Sequence, residues 1–100
     1  MKYFLLRLIP PRSTFAQDMN PREAEVMQRH FAYWADLAKK GSSLLYGPVA
    51  DPSGMWGVAI INVEDEGQAQ GITAADPAMK SQLGFRYDMF EMPRILTAPK

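Results

Sequence analysis

His30 is the only histidine in the chain. It is therefore the one side chain whose ordinary titration range spans neutral pH. An imidazole that takes a proton from one atom and returns it to another works best with a carboxylate behind it. The carboxylate orients the ring and stabilises its charged form. Six aspartates are available, and two sit in suggestive settings. Asp76 precedes Pro77, and Asp51 closes the turn Gly47-Pro48-Val49-Ala50-Asp51. Each residue also has a plain structural reading. His30 stands three residues after Met27 and four before Trp34, on the apolar side of a helix, where it could simply satisfy a backbone carbonyl. Asp76 suits a helix N-cap, and Asp51 suits a turn before Pro52. Arg7 interrupts an apolar strand. It could bind the carboxylate of a small acid, or pair with an acid such as Asp88 across a sheet. Spacing alone leaves open whether His30 and Asp76 meet.

Other chemistries are excluded by what is missing. With no cysteine there is no disulfide scaffold, thiol nucleophile or cysteine metal site. One histidine rules out a multi-histidine zinc site within one chain. No glycine-rich phosphate loop occurs, and no serine sits in a Gly-x-Ser-x-Gly elbow. Lys plus Arg is 11 and Asp plus Glu is 11, so the net charge is zero. That argues against a nucleic-acid partner and a polybasic membrane anchor. The start, Met1-Lys2-Tyr3-Phe4-Leu5-Leu6-Arg7-Leu8-Ile9-Pro10-Pro11, is broken by Arg7 and ended by prolines. It is not expected to act as a secretory signal, and the run is too short to cross a bilayer. The expectation is a cytoplasmic protein acting on a small molecule without metal or organic cofactor.

These residues need elements to position them. In 100 residues, 47% of them apolar, there is material for one core, so residues 1–100 form a single domain. Tyr3 to Ile9 reads as a strand, with Phe4, Leu6 and Leu8 on one face and Tyr3, Leu5, Arg7 and Ile9 on the other. Residues 10–20 read as a long loop of the kind that forms lids. Asn20-Pro21-Arg22-Glu23 is a helix start with a capping box. Met27, Phe31, Trp34, Leu37 and Ala38 mark its buried stripe, and Gly41 its stop. Leu44-Leu45-Tyr46, closed by Gly47-Pro48, and Trp56 to Val63 read as a hairpin around Asp51-Pro52-Ser53-Gly54. A second helix follows the acids 64–66 and runs from Gln68 to Ala75, weakened by Gly67 and Gly71. Asp76-Pro77 opens a short helical turn to Gln82, and Gly84 to Met92 is the last strand. The tail 94–100 is expected to be loosely held.

The order strand, helix, strand, strand, helix, strand predicts an α+β, ferredoxin-like βαββαβ fold with a four-stranded antiparallel sheet. Two helices cover only one face of such a sheet, yet the strands carry large apolar residues on both. A second copy, giving a homodimer, is the simplest cover. The loop or the tail could do it instead.

His30-Phe31-Ala32-Tyr33-Trp34-Ala35-Asp36-Leu37, then Gly41, then Leu44-Leu45-Tyr46-Gly47-Pro48-Val49-Ala50-Asp51 resembles the central motif of the YciI-like (YCII-related) family. Asp76-Pro77 followed by Gly84-Phe85-Arg86-Tyr87 resembles its second motif, and Met1-Lys2-Tyr3-Phe4 fits its start. The resemblance covers nearly the whole chain. It implies a ferredoxin-like dimer with His30 and Asp76 as the active-site pair. A relative in aromatic degradation is a dehydrochlorinase for a chlorinated hydroxyquinol, and muconolactone isomerase shares the general fold. Both imply proton transfer on small cyclic compounds: an elimination, isomerisation or lyase reaction. The long 10–20 loop departs from the shortest members, and the last strand ends in Glu91-Met92-Pro93 without an aromatic after the proline. On the residues alone a non-catalytic ligand-binding or regulatory module stands as the alternative. In it, Arg7 and His30 capture a small acid in the same pocket.

Overall fold

A computed structural model describes residues 1–99. The chain forms β1 (Lys2–Ile9), α1 (Phe15–Asp18), α2 (Pro21–Lys39), β2 (Ser43–Val49), β3 (Trp56–Val63), α3 (Glu66–Ala75), α4 (Pro77–Lys80) and β4 (Arg86–Met92). Without the short α1 and α4 the order is βαββαβ. The four strands make one open antiparallel sheet in the order β2-β3-β1-β4.

Alternation along the strands decides the core. Phe4, Leu6 and Leu8 of β1 and Ala59, Ile61 and Val63 of β3 are buried on the helix-covered face. Trp34 from α2 packs into the centre of that layer. Fully burying one such aliphatic side chain is worth about 1.5–3 kcal/mol, so this face carries most of the fold's stabilisation.

The start of α2 is as the sequence predicts. The Asn20 side chain accepts from the Glu23 amide at 2.8 Å, and Glu23 Oε1 accepts from the Asn20 amide at 2.9 Å. At the other end Gly41 takes φ +82°, the left-handed conformation that lets the chain turn off the helix.

Four expectations need correction. The buried stripe of α2 runs through Glu23, Val26, His30 and Trp34, while Phe31 is 48% exposed and Ala38 is exposed. Trp34 is common to both stripes, Met27 and Leu37 are half-buried, and Glu23 joins the buried side because its carboxylate finds partners there. Residues 10–20 are not all loop. Phe15 anchors α1 by packing edge-on against Phe85 at 5.2 Å between ring centroids. β2 does not stop at Gly47-Pro48 but pairs through Val49. It is an edge strand, so the missing amide of Pro48 can face away from the ladder. The helical turn after Asp76 ends at Lys80 rather than Gln82, because Gln82 takes φ +59°.

Beyond Met92 the described chain has no regular secondary structure, and Leu96 is 85% exposed. Lys100, part of the tail reading, lies outside the described residues. No helix among the described residues is long and apolar enough to cross a membrane.

Candidate active site

Asp76 lies at the junction of α3 and α4, and its side chain is fully buried. Its role as a cap and its role toward His30 turn out to be the same arrangement. Oδ1 accepts from the Ala78 amide at 2.9 Å, which caps α4. His30 Nδ1 lies 2.8 Å from Oδ2 and 3.0 Å from Oδ1. Two further donors converge on Oδ2, the Trp34 indole Nε1–H at 3.0 Å and the Tyr87 hydroxyl. The indole N–H also reaches the Tyr87 oxygen at 3.2 Å.

A carboxylate without water is costly unless it is fully hydrogen-bonded. Burial pushes the Asp76 carboxyl up, but the His30 hydrogen bond and charge, with Tyr87 and Trp34, outweigh it and hold it below the usual carboxylate range. Asp76 is thus an ionised acceptor, so His30 Nδ1 must carry a hydrogen and donate it. That fixes the tautomer of the neutral ring and leaves Nε2 with the lone pair. Nε2 makes no hydrogen bond among the described residues, and His30 lines a cavity of about 250 Å³.

The carboxylate acts on its other neighbours too. Burial first, then the charge of Asp76, pushes the Tyr33 phenol up to about 12. The same two causes push Tyr87 up strongly. Both hydroxyls therefore stay protonated donors across neutral pH, Tyr33 to the Ile72 carbonyl at 2.6 Å and Tyr87 to Asp76.

The cavity lies between the sheet, α2 and the 10–20 segment. Phe15, Met19, Met27, Phe31, Met55 and Phe85 are among its apolar lining residues, and Trp34, Tyr46 and Tyr87 line it with His30. None of its lining residues is Asp, Glu, Lys or Arg. Among the described residues no three carboxylate or imidazole groups converge as a metal site would need.

The 10–20 segment is held over the cavity by Arg12. Its guanidinium grips both oxygens of Glu23 at 2.8 Å and also reaches Asp18 Oδ1 at 2.8 Å and the Asp18 carbonyl at 3.0 Å. The Arg12 hydrogen bond, with the Asn20 amide, holds Glu23 down at about 2.

Arg7 and Asp51 stand apart from His30. Arg7 is on the sheet face away from the helices, opposite Asp88 in the β1–β4 register, with the charged groups 3.8 Å apart. Its guanidinium lies 4.4 Å from the centre of the Trp56 ring. Arg7 is not among the residues that line the cavity beside His30, whereas its neighbour Leu8, on the opposite face of β1, is. Asp51 accepts from the Ser53 amide at 2.8 Å and the Trp56 indole at 3.0 Å, and both bonds hold it below the usual range. It is the turn residue that its place before Pro52 suggests, in a polar surface hollow with Ser13 and Thr14.

Trp34, expected in the buried stripe of α2, and Tyr87, expected on the last strand, are polar neighbours that the sequence did not single out for the site. Trp34 had a visible signal, since it follows His30 by one helical turn and projects from the same side of α2. Tyr87 had its place on β4 and in the motif that follows Asp76-Pro77.

No curated protein matches the sequence. The YCII-related domain model matches residues 1–93, a span that takes in all four strands, His30 and Asp76, and the chain belongs to the YCII-related domain family.

Proposed function

We propose that the chain is a small enzyme that moves a proton on a compact, cyclic metabolite, with His30 as the acid–base group and Asp76 as its positioning partner. One observation carries the reading. The buried Asp76 carboxylate lies 2.8 Å from Nδ1 of the one histidine, whose ring lines an apolar cavity and whose Nε2 has no hydrogen bond among the described residues. Nε2 would take a proton from a carbon or hydroxyl of the substrate. The imidazolium formed is stabilised by Asp76 across 2.8 Å. In an isomerisation the same proton returns to another atom of the substrate. In an elimination the electron pair left behind forms a double bond and expels the leaving group.

The test is deuterium incorporation from D2O into a panel of small cyclic ketones and lactones, read by mass spectrometry. The parent should exchange at least one substrate, and His30→Ala should slow exchange by about 10²–10⁴-fold. Equal exchange by the parent and His30→Ala would sink the reading. Saturable binding without exchange or product across the panel would favour a ligand-binding module.

The proposal includes a homodimer built on the outer sheet face. Tyr3, Leu5, Val58 and Ile60 are only half-buried there, and Phe90 is 53% exposed. The two buried side-chain atoms without a partner among the described residues, Arg7 Nε and Asn62 Oδ1, belong to outward-facing positions of β1 and β3. Arg7 and Asp88, opposite in charge and side by side, make the patch self-complementary about a two-fold axis. Light scattering should give twice the chain mass, and Leu5→Glu with Phe90→Lys should halve it. A monomeric parent rejects the dimer.

A further inference from the structure

Taking its location from the acid–base reading of His30, we propose that the cavity selects uncharged ring compounds and rejects anions and cations of the same shape. The lining carries no Asp, Glu, Lys or Arg, and three of its polar side chains are already committed. The Trp34 indole and the Tyr87 hydroxyl both donate to Asp76, and the Trp56 indole donates to Asp51. What remains beside Tyr46, which is 39% exposed, is His30 Nε2.

A carboxylate entering this space would give up its water and meet one imidazole. Behind that imidazole stands a second negative charge, Asp76, whose four protein donors are already used. An anion would therefore add charge of the sign already present. An ammonium would find no acid in the wall and only one lone pair, on Nε2. A neutral ring with a single carbonyl or hydroxyl loses little water and needs no more than the polar contact that His30 or Tyr46 supplies. The volume of about 250 Å³ falls below the ~300–1,000 Å³ of sites for drug-sized ligands, which suits one ring or two.

Three probes of one shape test this at neutral pH: cyclohexanone, cyclohexanecarboxylate and cyclohexylammonium. Binding is followed by the NMR signals of the Trp34 indole and the His30 ring, both in the cavity wall. Cyclohexanone should give saturable shifts, with both ions weaker by about 100-fold or more. A second variant checks the cause. Ala16 is exposed and lies on the cavity rim, so Ala16→Lys adds a cation without entering the core. It should strengthen cyclohexanecarboxylate and leave cyclohexanone within about twofold. Either ion binding the parent as tightly as the ketone overturns the proposal, and so does the absence of saturable shifts with all three. The preference is read from binding alone. Loss of exchange in His30→Ala therefore leaves it standing, while a parent that binds the carboxylate best defeats it without touching the role of His30.

Discussion

Replacing Asp76 by Asn keeps the shape of the side chain and removes its charge and one acceptor. The carboxylate accepts from four donors, His30, Trp34, Tyr87 and the Ala78 amide. An amide can serve only one side of that set. If its oxygen takes the Oδ2 position, it still faces His30, Trp34 and Tyr87, but its NH2 then meets the Ala78 N–H, donor against donor. The lost cap costs about 1 kcal/mol. Three charge-assisted bonds become neutral ones, each weaker by about 1 kcal/mol. Release of the desolvated charge offsets part of this, leaving a net loss of about 2–3 kcal/mol. For a domain of this length that lowers Tm by about 10–20 °C. Asp65→Asn is the control. Asp65 only caps α3, accepting from the Gln68 amide at 2.8 Å, and Asn caps almost as well. Thermal unfolding at pH 7 by circular dichroism measures both variants against the parent. The carboxyl of Asp76 is lowered from its ordinary 3.8, so its contribution is complete above that value and fades as pH falls through the depressed one. The gap between parent and Asp76→Asn should therefore narrow as pH falls below about 4 toward pH 3. An Asp76→Asn variant melting within about 2 °C of the parent, or no further below it than Asp65→Asn, refutes the four-donor account.

Acid should also loosen the segment over the cavity. Glu23 is held down at about 2 from 4.5 by Arg12, so its stabilising share is full above 4.5 and is lost as pH falls toward 2. Glu23→Gln should flatten that part of the acid unfolding curve, and an unchanged curve would contradict the pairing. Arg12→Ala should raise hydrogen exchange across residues 12–19 while leaving β1 and β3 protected, because the guanidinium is what joins the segment to the start of α2. Gly54→Ala should cost more than 1 kcal/mol in denaturant unfolding, since φ is +135° and a Cβ would sit 2.9 Å from the Ser13 carbonyl oxygen. A loss under about 0.5 kcal/mol would mean that the turn relaxes freely. Leu6→Ala should cost about 2–5 kcal/mol, because Leu6 is wholly buried at the centre of the sheet.

Much of the frame was legible along the chain, because its rules are local. Alternation placed Phe4, Leu6 and Leu8 together, and Asn20, Pro21 and Glu23 announced the start of α2. Asp76-Pro77 marked the start of α4, and the counts of cysteine, histidine and charge removed whole classes of chemistry. The apolar stripe of α2 was misplaced for an equally physical reason. Apolar periodicity cannot register a polar group such as Glu23, which is buried because a distant partner, Arg12, satisfies it. Strand parity separated Arg7 from Leu8, but not which of their faces would receive α2. Only the folded sheet put Leu8 in the cavity with His30 and left Arg7 beside Asp88 and Trp56. The same holds for the site itself. His30 and Asp76 lie 46 residues apart, and their meeting depends on how α2 packs beside the α3–α4 junction. Tyr87 joins them because β4 pairs with β1 at the sheet edge. Contacts of that range are set by packing and register rather than by neighbours in the chain, and so tertiary structure alone decided them.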